Sequence, residues 1–187
     1  SFAMSVIMQS LKQNKHCLFF AFEESVPQLT RNMRSLGFDL DYFEQKGICR
    51  LHSTRTTMLG IEAHIVSIYN SIEEFNPDIV AFDPVTDMIK IGPKNEVHTM
   101  LLRIIDYLKS KLITTIFTTL VSDMEFNSDL KISSLVDNWI ELDIVEKNDI
   151  MTQSIRIVKI RGMNHSRKRY ILDFSSQGLS IKNFSDD

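Results

Sequence analysis

Two adjacent carboxylates, Glu23 and Glu24, close an apolar run from Leu18 to Phe22. A short, aromatic-rich apolar run reads as a strand buried on both faces. Ligands of open α/β sheets sit just beyond the carboxyl ends of such strands, so the pair stands where a catalytic base is expected. The same pattern also suits an acid or Ser25 capping the following helix. Asp83 closes a second apolar strand, Asp78–Phe82. An acid there can hold the Mg²⁺ of a bound nucleotide, usually through water, and Asp83-Pro84 also suits a simple turn. On two strand ends of one sheet, Glu23, Glu24 and Asp83 form a candidate cluster for metal-nucleotide chemistry.

Positive charge is densest in Val158–Arg169. Lys159 and Arg161 alternate along an expected strand and so share a face; His165, Arg167, Lys168 and Arg169 follow beyond Gly162. Such a loop suits phosphate groups, for which arginine offers a two-pronged donor, or it forms a solvated hairpin whose cations protect a sheet edge. Thr118 and Thr119 end a fourth apolar strand and can orient a water or touch a phosphate, although threonine is also a common strand residue. Ser133 and Ser134 close a polar stretch and read as turn or cap residues.

Composition removes several function classes. The formal net charge is −3, so no whole-chain basic field points to nucleic acid. Cys17 and Cys49 form no CxxC and have no nearby histidine pair. Neither a disulfide framework nor a zinc site is expected, and a reducing cytoplasm is the default. His16, His52, His64, His98 and His165 are scattered without metal-ligand spacing. No stretch approaches the roughly 20 apolar residues of a membrane helix, and no secretory leader is expected.

The elements that must position these groups alternate. Helical spacing marks Ser1–Gln13, Pro27–Leu36, Leu40–Gln45, Leu59–Phe75 and the run from Val97 to Leu108; apolar strands fall at Cys17–Phe22, Ile48–Leu51, Asp78–Phe82 and Leu112–Thr119. Pro84–Lys94 reads as loop. This rhythm predicts a parallel sheet with right-handed crossovers. Beyond a polar loop over Ser122–Ser134, strands at Trp139–Val145, Gln153–Ile160, Arg169–Phe174 and Leu179–Ile181 predict an antiparallel meander. One α/β domain over 1–187 is expected, with its parallel core at about 1–120 and its meander at about 138–182.

These pieces resemble the KaiC family, RecA-fold ATPases best known from the cyanobacterial clock. The resemblance rests on AFEES (Ala21–Ser25), QLTRNMRSLGFDL (Gln28–Leu40), PDIVAFD (Pro77–Asp83), ISSLVDNWIEL (Ile132–Leu142) and KIRGMNHS (Lys159–Ser166), in that order and spacing. It implies a RecA-like sheet, mostly parallel with flanking helices, and C-terminal antiparallel hairpins. It implies ATP and Mg²⁺, with Glu23 and Glu24 activating the attacking hydroxyl or water and Asp83 serving Mg²⁺. Lys159, Ile160, Arg161 and His165 would reach ATP held by the neighbouring subunit of a hexameric ring. Lys90, with His98, falls where the family's kinase half has interface-facing arginines. Ser133 and Ser134 align with the adjacent Ser-Thr pair that the kinase half phosphorylates. A KaiB-like partner belongs to the same set of expectations. The family's GxxxxGK[ST] loop, which cradles phosphates with backbone N–H groups and a lysine, is expected just before Ser1, and the stretch without it is expected to be inactive. A RecA/RadA-like DNA-binding recombinase module and a non-catalytic interaction domain are the competing readings; the acidic balance argues against the first and the intact Glu23–Glu24–Asp83 set against the second.

Overall fold

A computed structural model of the chain describes residues 2–53, 60–120, 132–147, 149–175 and 178–184. It divides into two compact units, Ser1–Leu130 and Lys131–Asp187.

In the first unit, α1 (Phe2–Lys12) leads into β1 (Cys17–Ala21); α2 (Val26–Ser35) and α3 (Leu40–Gln45) lead to β2 (Cys49–Ser53). Helix α4 (Ile61–Phe75) crosses to β3 (Ile79–Asp83), and α5 (Lys94–Ser110) to β4 (Thr114–Phe117). The four strands are parallel in the order β2-β1-β3-β4. The chain runs from β1 outward to β2, then returns past β1 to β3. The gap between β1 and β3 is therefore the point where the winding reverses, and ligands of such sheets lie outside it.

Strand alternation assigns the two faces. Cys17, Phe19, Ala21, Cys49 and Ala81 face a core built by α1, α2 and α3 through Met4, Ile7, Met8, Leu11, Leu29, Met33, Leu40 and Phe43. Leu18, Phe20, Val80 and Phe82, all fully buried, point the other way. Right-handed crossovers bring α4 and α5 to that face, and both helices bury an apolar stripe. Full burial of each such side chain contributes about 1.5–3 kcal/mol.

Four rings form one row across this second face. Phe20 pairs in register with His52 on β2 and Phe82 on β3, and Phe82 with Phe117 on β4. The centroids lie 5.3 Å apart for His52–Phe20 and 5.0 Å apart for both Phe20–Phe82 and Phe82–Phe117.

Two local readings change. The stretch expected as loop after Asp83 contains a 3₁₀ turn, Val85–Ile91, with Val85, Thr86, Asp87 and Met88 buried. The fourth strand starts later than its apolar pattern suggests, because Lys111 and Leu112 form the turn after α5, with Leu112 at φ 57° and 91% exposed. Cys17 and Cys49, remote in sequence, are register partners on β1 and β2 and both are free. Burial pushes each thiol up to about 12, with smaller contributions from neighbouring charges.

The second unit holds a short helix, α6 (Ile132–Leu135), and an antiparallel sheet in the order β5-β6-β7-β8. Its strands are β5 (Asn138–Lys147), β6 (Ile150–Ile160), β7 (Arg169–Ser175) and β8 (Gly178–Asn183). This is the expected meander, with its first two strands longer than the apolar pattern alone marks. Trp139, the second residue of β5, lies opposite Lys159, beside a register shift. One face of this sheet carries a charge lattice. Arg169 bonds the Asp143 carboxylate at 3.0 Å and the Ser154 hydroxyl at 3.1 Å, while Arg156 grips Glu141. The Arg169 hydrogen bond, followed by that of the Ile144 N–H, holds the Asp143 carboxyl below its ordinary range. The expected architecture, a parallel α/β sheet followed by antiparallel hairpins, is thus present.

Candidate active site at the strand tips

The strand ends place a polar row beyond the aromatic one. Ala21 is in register with Ser53 on β2 and with Asp83 on β3, and Thr118 directly follows β4. The Thr118 hydroxyl donates to an Asp83 carboxylate oxygen. Backbone bonds tie the same residues, Thr118 N–H to the Phe82 carbonyl at 3.1 Å and Val85 N–H to the Thr118 carbonyl at 2.8 Å. Asp83 is therefore held from both main chain and side chain at the point where the winding reverses. Thr119 follows, half-buried, without a hydrogen bond to this row among the described residues.

The acid pair extends β1 past that row. Phe22 N–H still bonds the Asp83 carbonyl, at 3.1 Å, which carries the strand one residue further along β3. Glu23 is then exposed and its carboxylate makes no bond to any described residue. Glu24 is half-buried and held twice. Asn32, two turns into α2, donates its side-chain N–H to Glu24 Oε1 at 2.9 Å, and the Ser53 hydroxyl donates to the Glu24 carbonyl at 2.9 Å. Helix capping falls to Ser25, whose N–H and hydroxyl both donate to Gln28 Oε1, at 3.2 and 2.9 Å. Neither acid is spent as a cap.

Neither Asn32 nor Ser53 is visible as a site residue in the sequence. Asn32 is one polar residue on a polar helix face, and Ser53 meets Glu24 only through the pairing of β2 with β1.

The Mg²⁺ that the resemblance implies can be tested against these donors. Among the described residues no group of three His, Cys, Asp or Glu side chains could hold a metal ion. Mg²⁺ needs no such cage, since it keeps several waters and uses one or two carboxylates together with substrate phosphates. A single carboxylate oriented by a hydroxyl, as in Asp83 and Thr118, fits that demand.

The cationic candidates divide between the units. Lys90 lies in the 3₁₀ turn, where its ammonium donates to Asp87 Oδ1 at 2.7 Å. Lys159, Ile160, Arg161 and His165 belong to the second unit. Lys159, in β6, and Arg161, in the turn just after it, reach the same stretch of chain. Lys159 Nζ donates to the Val136 carbonyl at 2.8 Å, and Arg161 to the Ser134 carbonyl at 3.1 Å, with an ion pair to Asp137 at 3.0 Å. Ile160 ends β6 between them, half-buried. His165 Nε2 is buried without a hydrogen-bond partner among the described residues. Ser133 and Ser134 lie in α6, and Ser134 is exposed; most of the Ser122–Ser134 loop falls outside the described residues. No helix among the described residues is long and apolar enough to cross a membrane.

Comparison with known proteins adds an independent line. A family model described as "ATPase: KaiC" matches residues 1–185. The chain is 32% identical over 174 residues to the circadian clock protein KaiC2 of Synechocystis sp., covering 90% of this chain and 30% of that protein. It is 28% identical over 177 residues to the circadian clock oscillator protein KaiC of Picosynechococcus sp., covering 93% and 34%. It is 29% identical over 175 residues to the KaiC of Acaryochloris marina, covering 92% and 34%. The chain thus spans about a third of the length of the curated relatives it matches.

Proposed function

This chain belongs to the KaiC family of ATPases, and on that premise we propose that its strand tips form the acidic half of an Mg²⁺-ATP hydrolysing site. The observation that carries the reading is the strand-tip register: Ala21, two residues before Glu23, pairs with Asp83, whose carboxylate accepts from Thr118. Glu23 and Glu24 accept the proton of the group that attacks the γ-phosphate, and Asp83, fixed by Thr118, serves Mg²⁺. Bound Mg²⁺ would offset charge on the phosphate oxygens. The protein's own share is positioning and electrostatics, since phosphoryl transfer asks for little covalent chemistry.

Lys159, Ile160, Arg161 and His165 act on a nucleotide held by a neighbouring copy in a ring, joined by Lys90. Two features support this. The Arg161–Asp137 pair is exposed, with side chains 56% and 47% accessible. Such pairs contribute about 0–1 kcal/mol, so exchanging Asp137 for a phosphate costs little. The buried His165 Nε2, without a partner among the described residues, also has an unmet hydrogen bond to offer. An autokinase activity at Ser133 or Ser134 is the finer form of the reading. A phosphate on exposed Ser134 would add about −1.5 to −2 charges beside Arg161.

The test is Mg²⁺-ATP turnover by a Glu23→Gln, Glu24→Gln double variant, in a protein carrying this sequence together with a GxxxxGK[ST] loop. An amide fills the same space and cannot take the proton. Hydrolysis should vanish while nucleotide binding persists; turnover near the unmutated rate would put the base elsewhere.

A further inference from the structure

The two glutamates are adjacent in sequence but not equivalent in structure. Glu23 is exposed and makes no side-chain bond to a described residue. Glu24 is gripped by α2 through Asn32 and by β2 through Ser53, both at 2.9 Å. We propose that Asn32 is a positioning residue for Glu24, with Ser53 as its backbone counterpart. This inference rests on the reading of the acid pair as the proton acceptor.

The argument begins with what the bonds constrain. A glutamate has three side-chain torsions, and one beyond a strand end would sample many rotamers. The Asn32 amide occupies Oε1 and leaves Oε2 as the oxygen it does not engage. The Ser53 hydroxyl fixes the peptide that carries the side chain. Phe22 is meanwhile tied to Asp83, so the segment is held from β2 and β3 at once. Helix propensity gives no reason for asparagine at this position, since it is a weaker helix former than alanine. A charge-assisted bond from an amide to a carboxylate is stronger than a neutral one, so the grip outlasts thermal rotation. Positioning of this kind governs rate because small displacements of a reacting group lower the population of reactive geometry.

In a protein carrying this sequence together with a GxxxxGK[ST] loop, the experiment compares kcat and KM for Mg²⁺-ATP, and thermal midpoints, for Asn32→Ala, Glu24→Ala and their combination. Asn32→Ala should lower kcat roughly 10- to 100-fold, leave KM nearly unchanged and barely move the midpoint. In the Glu24→Ala background, Asn32→Ala should cause no further loss. An unchanged kcat, or a loss that persists without Glu24, overturns the proposal. A second measurement is independent of activity and leaves Asn32 in place. In ¹⁵N-labelled chain, the Asn32 side-chain amide signals should move toward free-asparagine positions on Glu24→Ala. If they stay where they are, the bond does not exist in solution and the proposal falls. Turnover surviving in the Glu23→Gln, Glu24→Gln variant would sink the acid-pair reading instead, while the amide signals still judge the grip.

Discussion

Phe82→Leu tests how far the aromatic row supports the site above it. Phe82 is fully buried in the middle of β3, stacked at 5.0 Å on both Phe20 and Phe117. Leucine keeps an apolar side chain but removes both stacked contacts, each worth about 0.5–1.5 kcal/mol beyond area. The ring-shaped void adds a cavity cost of the same order. The total is about 2–4 kcal/mol. If Ser1–Leu130 unfolds as one unit, an entropy of about 2.1 cal/mol/K per residue gives about 0.27 kcal/mol/K. The midpoint should then fall by roughly 7–15 °C. Differential scanning calorimetry with far-UV circular dichroism reads this directly. Phe22→Leu is the internal control, because Phe22 meets the same ring only at 6.4 Å and should cost less. A fall below about 3 °C for Phe82→Leu, or a larger one for Phe22→Leu, would refute the idea that stacking across the strands holds the tips.

Gly92→Ala should destabilise by no more than about 1 kcal/mol, because an added Cβ would stand 2.7 Å from Ile61 Cδ1, the far end of a side chain that can turn aside; the backbone itself is extended there. Urea midpoints for Gly92→Ala alone and with Ile61→Val check it, and the smaller partner should recover part of the loss. His52 has its pKa lowered from 6.5, first by burial and then by Arg50. The folded state therefore favours neutral His52, and its contribution is complete above about pH 6.5 and lost as pH falls through the depressed value. Unfolding midpoints should decline from pH 7.5 toward 5, and His52→Phe should flatten that part of the slope. An equal slope in the variant would rule the imidazole out as its source.

Several features of the site were legible because they are local. Apolar runs ending on Glu23-Glu24 and on Asp83 announce strand tips, and alternation with helical stripes announces parallel pairing. The grip on Glu24 was not legible, since Asn32 is brought to it by the docking angle of α2 and Ser53 by the β1–β2 register. The same register sets Cys17 beside Cys49, which sequence distance conceals. The 3₁₀ turn Val85–Ile91 escaped because Gly92-Pro93 and Pro84 at its borders read as loop punctuation. What buries it is tertiary, namely its packing against α5. The exposed Leu112 shows the reverse error, an apolar residue counted into a strand that the turn geometry excludes.

The chain has one tryptophan, and Trp139 stands opposite Lys159, next to the stretch that Lys159 and Arg161 hold. Under excitation that selects indole, the emission of the whole protein is the emission of this one site. The parallel sheet, furnished with phenylalanines, is dark in that window. Release of Val136 and Ser134 by the two cations, whether by an incoming phosphate or by a modified serine, would change the polarity around the indole and shift its colour. The cationic end of the second sheet therefore carries its own label, and its opening can be followed in real time with nothing attached.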